Sequence, residues 1–179
     1  MSSPLLPAVE ALHTSIQRAA RKINPFANPF YTPLNPSPVV SLAASFIQSC
    51  PQGNFELPFE TFPELISNAD GRIMPGAQTS FSFDAESGHI AEDESRWITF
   101  VSGLNITSVS VTDQLREDGG SSSTTTNVTV EVPASGISGQ SYAFLTSEDV
   151  NGGPGALSDD AIVNGPAIIE VGLVHGHHP

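Results

Sequence analysis

The chain has 179 residues, of which 39% are hydrophobic and 14% charged, with 15 glycines and 15 prolines. That length suits one domain with an attached segment, and that composition argues against both a mostly helical and a disordered chain. The formal net charge of −13 falls almost wholly in residues 51–179, where eighteen acids meet three arginines, which argues against nucleic acid and anionic membrane surfaces as partners.

Residues 8–22 read as a helix. Ala8, Ala11, Leu12, Ile16, Ala19 and Ala20 recur near the helical period. Arg18, Arg21 and Lys22 crowd its last turns, where the helix dipole favours cations. Its opening, MSSPLLPAVEAL, lacks the basic start of a signal peptide, so a secreted form would need its export signal from elsewhere. No apolar run is long enough for a membrane span. Within this helix Glu10 and His13 stand three apart and share a face. The same spacing supplies two ligands of a di-metal helical bundle, but such a site draws on four helices. The pair is therefore a candidate for a divalent metal only in an assembly with further helices, and a plain surface pair otherwise.

Residues 24–38, NPFANPFYTPLNPSP, form an extended or turning link whose Phe26, Phe30 and Tyr31 need a neighbouring surface. A short helix is expected over 38–48, ending before Cys50 and Pro51. Cys50 has no basic neighbour to activate it and is expected to be packed.

Beyond Pro58 the period changes to two. Phe81 and Phe83 alternate with polar residues, as do Val128, Val130 and Val132. In RWITFVSG, Trp97, Thr99 and Val101 fall on one side and Ile98 and Phe100 on the other. Ile106 is out of phase with Val109 and Val111, which predicts a bulge near Thr107 and Ser108. QSYAFLTS and AIIEVG complete six or seven strands. Two stretches, REDGGSSSTTT (116–126) and EDVNGGPGALSDD (148–160), read as mobile loops. The acids Glu148, Asp149, Asp159 and Asp160 lack the order of a calcium loop. Glu92, Asp93 and Glu94 read as a solvated loop, His89 is isolated, and His175, His177 and His178 read as a plain tail. No nucleophile elbow or phosphate loop is present. Two sequons, Asn105-Ile-Thr107 and Asn127-Val-Thr129, are glycosylation candidates if the chain is secreted.

The blocks PSPVVSLAASFIQSCP with LPFETFPEL, PGAQTSFSF, GQSYAFLTS and LSDDAIVNGPAIIEV carry a resemblance. Together they make residues 15–172 similar to the C-terminal part of fungal ferritin-like-domain proteins related to a stress-response protein. The resemblance implies a secreted or cell-surface protein with a stress or developmental role, no defined reaction, and a chain shortened from one that carried a helical bundle. It transfers no metal ligands, because the bundle helices that would hold them are not in this sequence.

The resulting expectation is a mainly β fold, an antiparallel immunoglobulin-like β-sandwich with a short N-terminal helical arm. Its parts are a helix at 1–23, a Pro/aromatic linker with a short helix at 24–57, the sandwich at 58–174 and a His-rich tail at 175–179. The expected role is a non-catalytic module of the ferritin-like family, with protein or cell-wall partners and oligomerisation through the N-terminal helix. One alternative is a metal-binding ferritin-like protein or oxidoreductase completed by other helices. Another is a polysaccharide-contact module stacking sugars on Tyr31, Trp97 or Tyr142.

Overall fold

A computed structural model describes residues 5–22, 32–55, 58–84, 95–111, 113–119 and 123–172, with the backbone alone at 5–12, 113–119 and 123–124. Two helices lead the chain, α1 (Leu5–Ala20) and α2 (Pro36–Ala44). Eight strands follow: β1 (Ile66–Ser67), β2 (Gln78–Asp84), β3 (Trp97–Ser102), β4 (Asn105–Ser110), β5 (Asp113–Gly119), β6 (Ser123–Glu131), β7 (Gly139–Thr146) and β8 (Ile162–Val171). They form two four-stranded antiparallel sheets, ordered β1-β2-β6-β5 and β4-β3-β7-β8. The expected mainly β, antiparallel fold with a short N-terminal helix is borne out.

The period-two pattern explains the layers. Phe81, Phe83, Val128 and Val130 point inward from the first sheet and meet Ile98, Phe100, Leu145, Ala167 and Ile169 from the second. The Phe81 and Phe100 rings sit 6.3 Å apart at 59°, a tilted pairing that aromatic quadrupoles favour.

The β4-β3-β7-β8 sheet is buried on its inner side and covered over part of its outer one. A second core of Val101, Ile106, Phe144, Val150, Leu157, Ala161 and Ile162 supplies that cover, with Leu34 and Phe62 packed against it. This answers the phase change in NITSVSV. The β3–β4 register is unbroken, pairing Val101 with Ile106 and Ile98 with Val109. Ile106 therefore serves the outer core and Val109 the inner one. The predicted bulge is absent from β4; the register shifts instead lie between β7 and β8, around Ala143, Leu145 and Thr146.

Both stretches read as mobile loops contribute elements of the fold through their described residues. Residues 113–119 and 123–131 pair as a hairpin along β6, whose Thr and Val content suits a pleated surface. The 148–160 segment lies over the second sheet, with Val150 and Leu157 buried as its apolar anchors. A hydroxyl ladder pins it. Thr99 Oγ1 lies 2.6 Å from Ser108 Oγ and 2.8 Å from Thr146 Oγ1. Ser108 Oγ donates to the Val150 carbonyl and accepts from its N–H. Asn35, at the start of α2, does not cap the helix with its side chain but donates to the Leu157 carbonyl at 3.1 Å and to Asp159 at 3.3 Å.

Cys50 is exposed rather than packed, because α2 ends at Ala44 and the residues after it leave the core.

Candidate functional site

The segment between α2 and β2 builds the most distinctive surface. Ser41 on α2 accepts the Phe62 N–H at 2.9 Å, which starts residues 62–67 alongside β8. The Pro63 carbonyl then accepts the Gly165 N–H at 2.8 Å, and the Glu64 carbonyl accepts from the Asn164 amide at 3.2 Å. At Ile66 and Ser67 the chain pairs with β2 in the other sheet while still lying beside β8. It bonds β8 again at Ile73, whose N–H donates to the Glu170 carbonyl and whose carbonyl accepts the Gly172 N–H, both at 2.8 Å.

The edge of β8 is thus bonded at both ends, and no described backbone group outside the strands bonds it between Pro166 and Ile169. The Glu170 carbonyl and Gly172 N–H point outward to Ile73, and strand polarity alternates by residue. The N–H and C=O of Ile168 consequently face the same open side. Its side chain is 56% exposed. Cavities of about 510 Å³ and 500 Å³ flank it, and Ser67 and Ile168 line both. The first mixes apolar walls, Leu42, Phe62, Leu65 and Ile66 among them, with the polar Ser41, Ser45 and Glu64. The second is charged at its far end, where Arg72 and Glu170 stand. Arg18 from α1 grips the Glu170 carboxylate with both guanidinium nitrogens, at 2.9 and 3.3 Å, and Arg72 lies 3.9 Å from the same group.

The residues singled out from sequence fall elsewhere. His13 is exposed, and the side chain of Glu10 lies outside the described residues. Among the described residues no group of three or more His, Cys, Asp or Glu is placed to hold a metal ion. Asp159 is half-buried and held by Asn35, whereas Glu148, Asp149 and Asp160 are exposed. Asn151 donates to Asp149 and accepts from the Ser108 N–H, so that stretch is tied down as a turn over β4. Asn105 is exposed at the start of β4 and donates to the Gly136 carbonyl at 2.8 Å. Asn127 faces outward from the middle of β6, where Asn68 reaches it at 3.5 Å. Trp97 and Tyr142 are each half-buried, and the second core fills the sheet face between them, so they form no exposed stacking platform. Phe26, Phe30, Tyr31, His89, Glu92, Asp93, Glu94, His175, His177 and His178 lie outside the described residues.

No family model matches the chain, and no curated protein matches it. The resemblance to ferritin-like-domain proteins is overturned. The chain folds mainly as two antiparallel sheets rather than a four-helix bundle, and the comparisons give that family no support. The module, metal-storage and oxidoreductase roles argued from that family fall with it, and the fungal, secreted and stress-related setting is left without support. Among the described residues no helix is long and apolar enough to cross a membrane.

Sequence reasoning missed the groove. Its walls come from residues 41–45, 62–73 and 165–170, and no local motif marks where a strand pairs with one sheet beside the edge of the other. The available signal was Ile168, an apolar residue in the outward phase of a strand otherwise rich in buried ones.

Proposed function

We propose that the chain is a non-catalytic recognition module with an immunoglobulin-like sandwich, binding an extended peptide segment along the interrupted edge of β8. The strand order supports the immunoglobulin-like reading. β1-β2-β6-β5 over β4-β3-β7-β8 corresponds to A-B-E-D over C′-C-F-G in that architecture.

The observation that carries the binding role is the gap between the Gly165 and Glu170 edge contacts. A guest strand can hydrogen-bond the outward N–H and C=O of Ile168, as in peptide recognition by strand addition. Its alternate side chains would enter the two flanking cavities. The wall chemistry suits a side chain with an apolar body and a polar tip on the α2 side and a polar or charged residue on the Arg72 and Glu170 side. Each cavity is large enough for a side chain, with volume within the range of small-ligand sites.

A random peptide library displayed on phage and selected on the immobilised chain tests this. Enriched peptides should bind the unmodified chain and lose binding to Ile168→Asp. Ile168→Pro, which removes the outward N–H together with the isoleucine side chain, should weaken them too. Peptides that bind all three proteins alike, or a selection with no enrichment, would refute strand addition at this edge.

A further inference from the structure

We propose that α1 is an arm exchanged between two copies of this chain, with Arg18 of each clamping Glu170 of the other. Three observations point this way, and none depends on the groove holding a peptide.

The first is charge. Three of the chain's six cations, Arg18, Arg21 and Lys22, lie within five residues at the end of α1, while residues 51–179 carry eighteen acids against three arginines. An arm of one sign and a sandwich of the other attract between copies as well as within one. This offsets the repulsion two chains of net charge −13 would otherwise feel.

The second is the clamp. Arg18 meets Glu170 through a two-nitrogen fork, and the side chains are 18% and 29% exposed. Fork geometry specifies register as well as attraction. The same contact can be made by an arm arriving from another copy, since nine residues separate Lys22 from Thr32 and span up to about 30 Å when extended.

The third is what one copy leaves uncovered. Ile16, two residues before the clamp, is 67% exposed, and Ile168, two residues before Glu170, is 56% exposed. Ile66 and Met74 beside that edge are also exposed. Within one chain these apolar groups stay in water although the clamp is closed. Two copies packed around exchanged arms would cover them.

Charge reversal separates exchange from closure within one chain. Arg18→Glu and Glu170→Arg are prepared separately in the full chain, and mass is measured by light scattering after size exclusion at matched concentration. The unmodified chain should show a concentration-dependent dimer of twice 18.8 kDa. Each reversal alone should be monomeric. Mixing the two should restore a dimer, because each arm then finds the opposite charge only on the other copy. Both variants should keep the circular dichroism of the unmodified chain and unfold cooperatively, because a part-exposed pair contributes little to the fold of one copy. If either reversal unfolds, Arg18→Gln and Glu170→Gln replace it, each expected to weaken the dimer. An unmodified chain that is monomeric throughout would overturn the proposal. So would a dimer that either reversal leaves intact, or a mixture that stays monomeric. Peptide selection can succeed on a monomer and fail on a dimer, so the two ideas fail separately.

Discussion

Leu157→Ala probes whether the 148–160 segment is a structural roof. Leu157 is 7% exposed and packs in the outer core with Val101, Ile106, Phe144, Val150 and Ile162. Truncating a buried leucine removes transfer energy and leaves a cavity, together about 2–5 kcal/mol. The floor of this cavity is rigid, since Phe144 lies fully buried within a paired strand. Its roof is a single loop that can settle, which places the loss in the lower half, about 2–3 kcal/mol. For a chain of this length that corresponds to a melting midpoint roughly 4–12 °C lower, followed by far-ultraviolet circular dichroism. Val150→Ala should also destabilise, but the double variant should lose less than the sum, because the first truncation already loosens the shared roof. A midpoint within about 2 °C of the unmodified chain would refute the packed roof.

Thr99→Val keeps the shape and removes one hydroxyl from the ladder. Ser108 retains its bonds with Val150, and Thr146 its bond to the Glu148 carbonyl, so the loss should be about 1–2 kcal/mol in urea unfolding. No loss at all would argue that the ladder does not contribute. Gly165→Ala should cost roughly 1–3 kcal/mol from backbone strain alone. Gly165 has φ of +122°, and an added Cβ would lie 3.1 Å from the Ala143 carbonyl oxygen. Unchanged thermal stability would contradict that close approach. Cys50 should react with a thiol reagent as fast in the native chain as in the denatured one, and strong native protection would contradict its exposure.

The inner core was legible because its residues obey one rule. Phe81, Phe83, Val128 and Val130 alternate with polar neighbours, and burial on one face leaves that trace in any strand. RWITFVSG was legible in a different way: apolar residues in both phases signalled a strand covered on both sides. What covered it was not legible. Val150 and Leu157 sit among Gly, Asn and Asp that individually favour turns, and Gly153 and Pro154 stand at the intermediate steps where a helical face would need apolar residues. The phase change at Ile106 was visible but ambiguous. A bulge and a change of partner core produce the same pattern, and only the β3–β4 register separates them. The groove was invisible because it belongs to no element. It exists where residues 66 and 67 pair with one sheet beside the edge of the other, a tertiary event with no local signature.

The distribution of satisfied surfaces narrows where this molecule can recognise anything. The outer face of the β4-β3-β7-β8 sheet is roofed over Val101, Ile106, Phe144 and Ile162. The outer face of the other sheet is polar along β2 and β6 and partly bonded to itself, with Ser82 donating to Asn68 and Asn68 donating to Ser80. A ligand there would exchange bonds already made for equivalent ones, gaining little. The β4 edge is closed by Gly152, which exchanges backbone bonds with Ile106, and by Asn151, which accepts from Ser108. The β5 edge has the sequence DQLREDG, whose charges discourage pairing with another strand. Among the described edges, the stretch from Pro166 to Ile169 combines outward backbone groups, an exposed apolar side chain and flanking space. It also adjoins Glu170, the carboxylate that holds α1. Recognition and self-association would therefore compete at one end of one strand, and a ligand carrying an arginine toward Glu170 would displace the arm.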